Sequence, residues 1–219
     1  MAISKSRSEA QTLENYRVAL ENVETQTEVA QIMADFGYDS AAVAEGKELL
    51  GATRTVFDLH HKEDEESNLA KDDLNAKLTA VRATYSLHRK KAKTVFRKSE
   101  AILQNLGLTG SIPDGYIKFL ESLKTFYTRL QEHADWLAKL APLKVLPEDI
   151  TAALAAITQL EAARATYLRE IGESQDATEA KDKAFARMDE WMREFRDVAR
   201  IALEDRPQLL ESINIFVRN

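Results

Sequence analysis

Four histidines and a rich supply of carboxylates are the side chains of this sequence best suited to metal or proton chemistry. Helical di-metal centres take glutamates from facing helices together with Glu-x-x-His pairs, because residues three apart project from one face of a helix. The residues three places before His60, His61, His88 and His133 are Phe57, Asp58, Tyr85 and Leu130, so that pattern is absent. His60 and His61, followed by Glu63, Asp64, Glu65 and Glu66, offer donors for a divalent cation. Neighbours in sequence do not converge on one point without partners elsewhere, and the cluster reads as a solvated turn. His88 alone lies on an apolar stripe. It suits either a buried ligand or pH-sensing group, or a core histidine satisfied by one hydrogen bond. The second reading is preferred, because Phe195 stands at the matching place of an internal repeat.

The basic run His88-Arg89-Lys90-Lys91-Ala92-Lys93, with Arg97 and Lys98, has the charge to meet phosphate groups. No aromatic interleaving or glycine-rich loop accompanies it, and basic residues late in a helix complement the helix dipole. Met188, Trp191, Met192 and Phe195 have the composition of a ligand or haem pocket, but their spacing is that of a core stripe. No nucleophile elbow, phosphate loop, zinc-protease helix or dinucleotide fingerprint occurs, and no pair of acids stands out as general acid and base. The sequence therefore names no catalytic, cofactor-binding or metal-binding residue and implies no cofactor.

The elements that would carry these groups are helices. Only 7 Gly and 4 Pro in 219 residues favour long uninterrupted elements, and helix formers dominate. Shifted by 107 positions, residues 66–108 fall on 173–215 without a gap. Leu74, Leu78, Val81, Tyr85, His88, Ala92, Val95, Ile102 and Leu106 then match Lys181, Phe185, Met188, Met192, Phe195, Ala199, Ala202, Leu209 and Ile213. Steps of three and four put each set on one helical stripe. Upstream the match needs shifts of 108 and 111, and the larger change falls between Phe57 and Glu66. Helix-to-helix turns are accordingly predicted near 61–66 and 172–174, the second containing Gly172.

Gly37 follows the first helix, Asp39 or Ser40 caps the second, and Gly107 and Gly110 end the third. The fourth carries the seam Tyr116, Leu120, Leu123, Tyr127, Leu130, Ala134, Leu137 and Ala141. Pro147 opens the fifth, and Pro207 interrupts the sixth to leave a short terminal segment. The expected fold is all-α: an antiparallel long-helix bundle, coiled-coil-like, from two tandem three-helix repeats of about six main helices. Residues 1–110 and 111–219 form the two repeats, expected to share one core.

Residues Glu190-Trp191-Met192-Arg193-Glu194-Phe195, Ala199-Arg200-Ile201-Ala202-Leu203-Glu204-Asp205 and Gln208-Leu209-Leu210-Glu211 carry a family resemblance. With Phe36-Gly37-Tyr38-Asp39 and Ala44-Glu45-Gly46-Lys47, this chain resembles an uncharacterised group of bacterial duplicated helical proteins. The resemblance implies an all-helical duplicated fold and assigns no activity or ligand.

A net charge of −6 argues against a general nucleic-acid binder. The absence of cysteine excludes disulfides and thiolate sites. The opening residues Met-Ala-Ile-Ser-Lys-Ser-Arg hold no apolar core of a signal peptide, and no stretch reaches the roughly 20 apolar residues of a membrane span. The expectation is a cytoplasmic, non-enzymatic helical scaffold or protein-interaction module, with a protein partner and self-association both open. The alternatives are a small-molecule or metal-binding pocket between the repeats, or an anionic partner or nucleic acid held through 88–98.

Overall fold

A computed structural model describes residues 8–215 of the chain; the opening run 1–7, read above for a leader, lies outside them. The fold is all-α, with no strand among the described residues. Its order is α1 (Glu9–Thr25), α2 (Thr27–Asp35), α3 (Ser40–Val95), α4 (Glu100–Asn105), α5 (Tyr116–Glu132), α6 (Ala134–Leu140), a 3-10 turn (Ala141–Leu143), α7 (Pro147–Ala202) and α8 (Pro207–Ser212). No described helix is long and apolar enough to cross a membrane.

Two expected turns are absent. Residues 61–66 and 172–174 lie inside α3 and α7, each an unbroken helix of 56 residues. The stretch His60-His61-Lys62-Glu63-Asp64-Glu65-Glu66 contains no helix breaker. A single Gly172 costs a helix only about 1 kcal/mol relative to alanine, too little to end one packed on both sides of it. The 25–35-residue helices expected on either side are therefore joined into two long ones. Conversely, the expected first and fourth helices are each broken, at Gln26 and at His133, and the third ends at Val95, short of Gly107. The punctuation by charge and proline holds. Asp39 Oδ1 accepts from the backbone N–H groups of Ala41 and Ala42 at 3.0 and 2.9 Å, Pro147 opens α7 and Pro207 opens α8.

The chain divides into two compact units: unit 1 is Met1–Asp64 with Glu173–Asn219, and unit 2 is Glu65–Gly172. The bounds of these units differ from the halves 1–110 and 111–219, and among the described residues the buried apolar side chains named below fall into two clusters. Each unit draws its own apolar cluster from both halves. In unit 1, Tyr16, Leu20 and Val23 of α1 and Met33 of α2 meet Met188, Met192, Phe195 and Ala199 of α7 and Leu210 of α8. Along the pair of long helices in this unit, Gly46 lies against Trp191. Thr53 Oγ1 donates to the Ala184 carbonyl at 3.5 Å, and Ser174 Oγ donates to Asp64 Oδ1 at 2.6 Å. Lys181, the polar break in the second stripe, is buried and donates to both oxygens of Glu9, at 2.9 and 3.0 Å.

In unit 2, Val81, Tyr85 and Ala92 of α3 pack on Leu123, Tyr127 and Leu130 of α5 and on Ile150, Ile157 and Leu160 of α7. Phe119 and Phe126, which the seam of the fourth helix omits, are both fully buried and meet Tyr85 edge-on at 6.0 and 5.4 Å. The spacing of elements is regular: α5, α7 and α8 each begin and end 107 positions after α1, α3 and α4. The shifts of 108 and 111 are therefore not needed to align the helices.

Candidate functional site

Among the groups singled out by the sequence, His88 lines a groove together with Thr84, Tyr127 and Asp149, and Arg89, Lys90 and Lys93 of the basic run line a separate, shallower one with Ser86 and Thr94. His88 projects from the stretch of α3 inside unit 2, where the three-four stripe forces every side chain at its position toward α5 and α7. The groove, about 270 Å³, is floored by His88, Tyr127, Val81 and Ala153 and rimmed by Thr84 and Asp149. Small side chains on both long helices, Ala80 on α3 and Ala152 and Ala156 on α7, leave the space open.

His88 is 6% exposed and Tyr127 1%. Their contact is a hydrogen bond of 3.1 Å between His88 Nδ1 and Tyr127 Oη, with the rings edge to face at 5.9 Å. Burial, aided by the charge of Lys91 and opposed by that of Asp149, lowers the His88 pKa below its ordinary 6.5, so the ring is neutral at pH 7. Burial, with Tyr85 and Asp149 adding to it, raises the Tyr127 pKa above its ordinary 10, so the phenol keeps its proton. A buried O–H requires an acceptor, and Nδ1 is the one within reach. The proton of the neutral imidazole then sits on Nε2, which has no protein partner among the described residues. Asp149 caps α7: its Oδ2 accepts from the Leu146 N–H at 2.8 Å.

This burial makes stability depend on pH. Between the lowered folded pKa and 6.5, the unfolded chain binds the His88 proton and the folded chain does not. The contribution of neutral His88 is thus complete above about pH 6.5 and declines as the pH falls through that value. Thermal melts of wild type and His88→Phe between pH 5 and 8 should differ in slope, the variant being flatter on the acid side. Parallel curves would mean that His88 is accessible to protons in the folded state.

Unit 1 treats the matching place differently. Counted 107 positions along, Thr84, His88 and Val81 become Trp191, Phe195 and Met188, while Ala153 and Asp149 on α7 correspond to Gly46 and Ala42 on α3. Met188 and Phe195 are fully buried. Trp191 stacks on Phe195 with centroids 5.6 Å apart, and Tyr38 meets both rings edge-on. A Cβ at Gly46 would lie 2.7 Å from Trp191 Cζ2, so glycine is what lets the indole down onto α3. The Met-aromatic cluster is packing, with the indole filling the space that Thr84 leaves open in unit 2.

The remaining candidates stay apart from this groove. His60 and His61 lie on α3 rather than in a solvated turn. His60 Nε2 is 3.6 Å from Asp64 Oδ2, and His61 meets the Phe57 ring edge-on at 4.5 Å. His133 marks the α5–α6 break and stacks on Trp136 at 3.8 Å. The basic run is partly consumed by backbone. Lys91 Nζ donates to the Lys144 carbonyl at 3.1 Å and Lys93 Nζ to the Gly110 carbonyl at 3.3 Å.

Arg89 turns inward, 5% exposed, and its guanidinium donates to the carbonyls of Gly107 at 3.1 Å, Leu108 at 3.2 Å and Gly110 at 2.7 Å and to Tyr85 Oη at 3.2 Å. The sequence presents Arg89 only as one member of a basic run that could meet phosphate or complement the helix dipole. Its place on α3 next to the buried His88, ahead of the helix end at Gly107 and Gly110 with carbonyls to satisfy, is the signal for it in the sequence. No family model, curated protein or solved structure matches this chain.

Proposed function

We propose that this chain is a non-enzymatic helical scaffold made of two tandem copies of one helical unit, with antiparallel long helices at its centre, and that it works by holding a protein partner. The observation that carries this reading is the equal spacing of its elements: α1 and α5, α3 and α7, and α4 and α8 keep one offset and equal lengths. Such regularity supports duplication of a whole folding pattern, in line with the family resemblance seen in the sequence. Large exposed apolar side chains, among them Leu69, Ile117 and Leu168 in unit 2 and Ile201 in unit 1, support a surface that meets other chains.

The test is capture by the immobilised chain, with chemical cross-linking, from the native host. A single protein should be recovered, bind again when purified, and lose at least tenfold in affinity when the cross-linked apolar residue is changed to serine. Turnover of a small molecule by the isolated chain would overturn the reading. A second reading, a small-molecule pocket, is favoured by the open groove beside His88, which Trp191 fills at the matching place in unit 1.

A further inference from the structure

Resting on that second reading, we infer that the groove beside His88 binds a small neutral molecule with a lactam-like edge, a carbonyl beside an N–H. Two independent observations point to a ligand. The first is the cavity itself, kept open by small residues where the matching place in unit 1 is filled by an indole. The second is a side chain more than nine-tenths buried whose one free polar atom, Nε2 of His88, has no protein partner among the described residues. Nε2 does not belong to the fully enclosed unsatisfied atoms, which are His60 Nδ1 and Tyr116 Oη among the described residues. It therefore retains a path outward, and the groove is the open space that His88 lines.

The chemistry of the ligand follows from the donors and acceptors on offer. Nε2–H of a neutral imidazole donates and calls for a carbonyl or ring-nitrogen acceptor. Asp149 has one oxygen held by the Leu146 N–H, and the carboxylate keeps further lone pairs for an N–H of the ligand. Thr84 at the rim both donates and accepts. The walls are methyl groups, chiefly alanine, which suit a flat apolar body. A full negative charge would face Asp149, and a full positive charge would face Nε2–H and the nearby Lys91, whose field already acts on His88. A neutral molecule avoids both. The volume, about 270 Å³, lies just under the range of roughly 300–1,000 Å³ for drug-sized ligands, so a single ring is the right size.

The experiment uses the full chain with 2-pyridone as probe and benzylamine, benzoate and benzene as controls, followed by NMR of the alanine, valine and threonine methyl groups and the His88 ring. Saturable shifts at Thr84, Ala153 and Ala156 with 2-pyridone are expected, with a Kd on the order of 1 mM for so small a ligand. In Thr84→Trp, which copies unit 1, and in His88→Phe, binding should weaken at least tenfold. Circular dichroism of both variants establishes that they fold, and His88→Phe serves if the tryptophan is not accommodated. Binding of benzylamine, benzoate or benzene in preference to 2-pyridone overturns the lactam class while leaving the pocket reading in place. No saturable shift with any of the four overturns both, and 2-pyridone binding unchanged in both variants shows that the site lies elsewhere and overturns the proposal.

Discussion

Met188→Asp should abolish the stable fold of unit 1, whereas Leu78→Asp should leave unit 2 folded but weakened. Met188 is fully buried in the cluster that α1, α2, α7 and α8 build together. A carboxylate there loses the thioether's apolar contacts, about 2 kcal/mol. It must also be buried either charged or as an unpaired acid, at a further cost of several kcal/mol. That sum is comparable with the roughly 5–15 kcal/mol that holds a typical domain together. Leu78 sits on the same kind of stripe but is only partly buried against its core. Its aspartate can turn toward water, and the expected loss is about 1–2 kcal/mol. Urea titrations followed by helical circular dichroism will separate the two. Equal effects would mean that the two stripes are packed alike, against the burial seen here.

The second large effect is at Arg89. Replacing it with leucine keeps an apolar stem of similar bulk but removes the donors that meet the carbonyls of Gly107, Leu108 and Gly110. These lie just past α4, where carbonyls have no intrahelical partner and the helix dipole is negative. The Gly107 and Leu108 carbonyls are then left unmet while the exposed Gly110 keeps Lys93, and the loss should be about 2–4 kcal/mol. Arg89→Lys should recover only part of it, because a compact ammonium cannot span the oxygens that the planar fork reaches. The exposed neighbour Lys90, changed to leucine, should stay within about 0.5 kcal/mol of wild type. Denaturant midpoints, with amide exchange at residues 107–110, give the reading. A wild-type midpoint for Arg89→Leu would show that water satisfies those carbonyls as well as the guanidinium does.

These two positions show what the sequence could and could not convey. Met188 was legible because burial of a helical stripe follows from periodicity alone. Arg89 was not: its role depends on carbonyls about twenty residues away, and a run of basic residues looks the same whether one of them points in or all point out. The all-helical class, the three-four seams and the caps at Asp39, Pro147 and Pro207 were readable from local chemistry. The continuity of α3 and α7 was not. A charged stretch such as 61–66 and a lone Gly172 are compatible with a turn or a helix, and packing decides between them. The groove was half legible. His88 stood out on its stripe, but its openness comes from Thr84 and three alanines whose small size is uninformative until the facing helix is known. Phe119 and Phe126 lie beside the seam through Leu123, Tyr127 and Leu130, on a buried face wider than a single three-four stripe.

The composition of the two compact units has a consequence for the loop at 108–115. Unit 1 needs α1 and α2 from before that loop and α8 from after it; unit 2 needs α4 from before and α5 from after. The loop is therefore a tether and not a frontier. A protease that opened it would leave two fragments still clasped through both cores, and a fragment ending at residue 110 would have lost the surfaces its own long helix is shaped to meet. A lone copy could regain them only by embracing a twin.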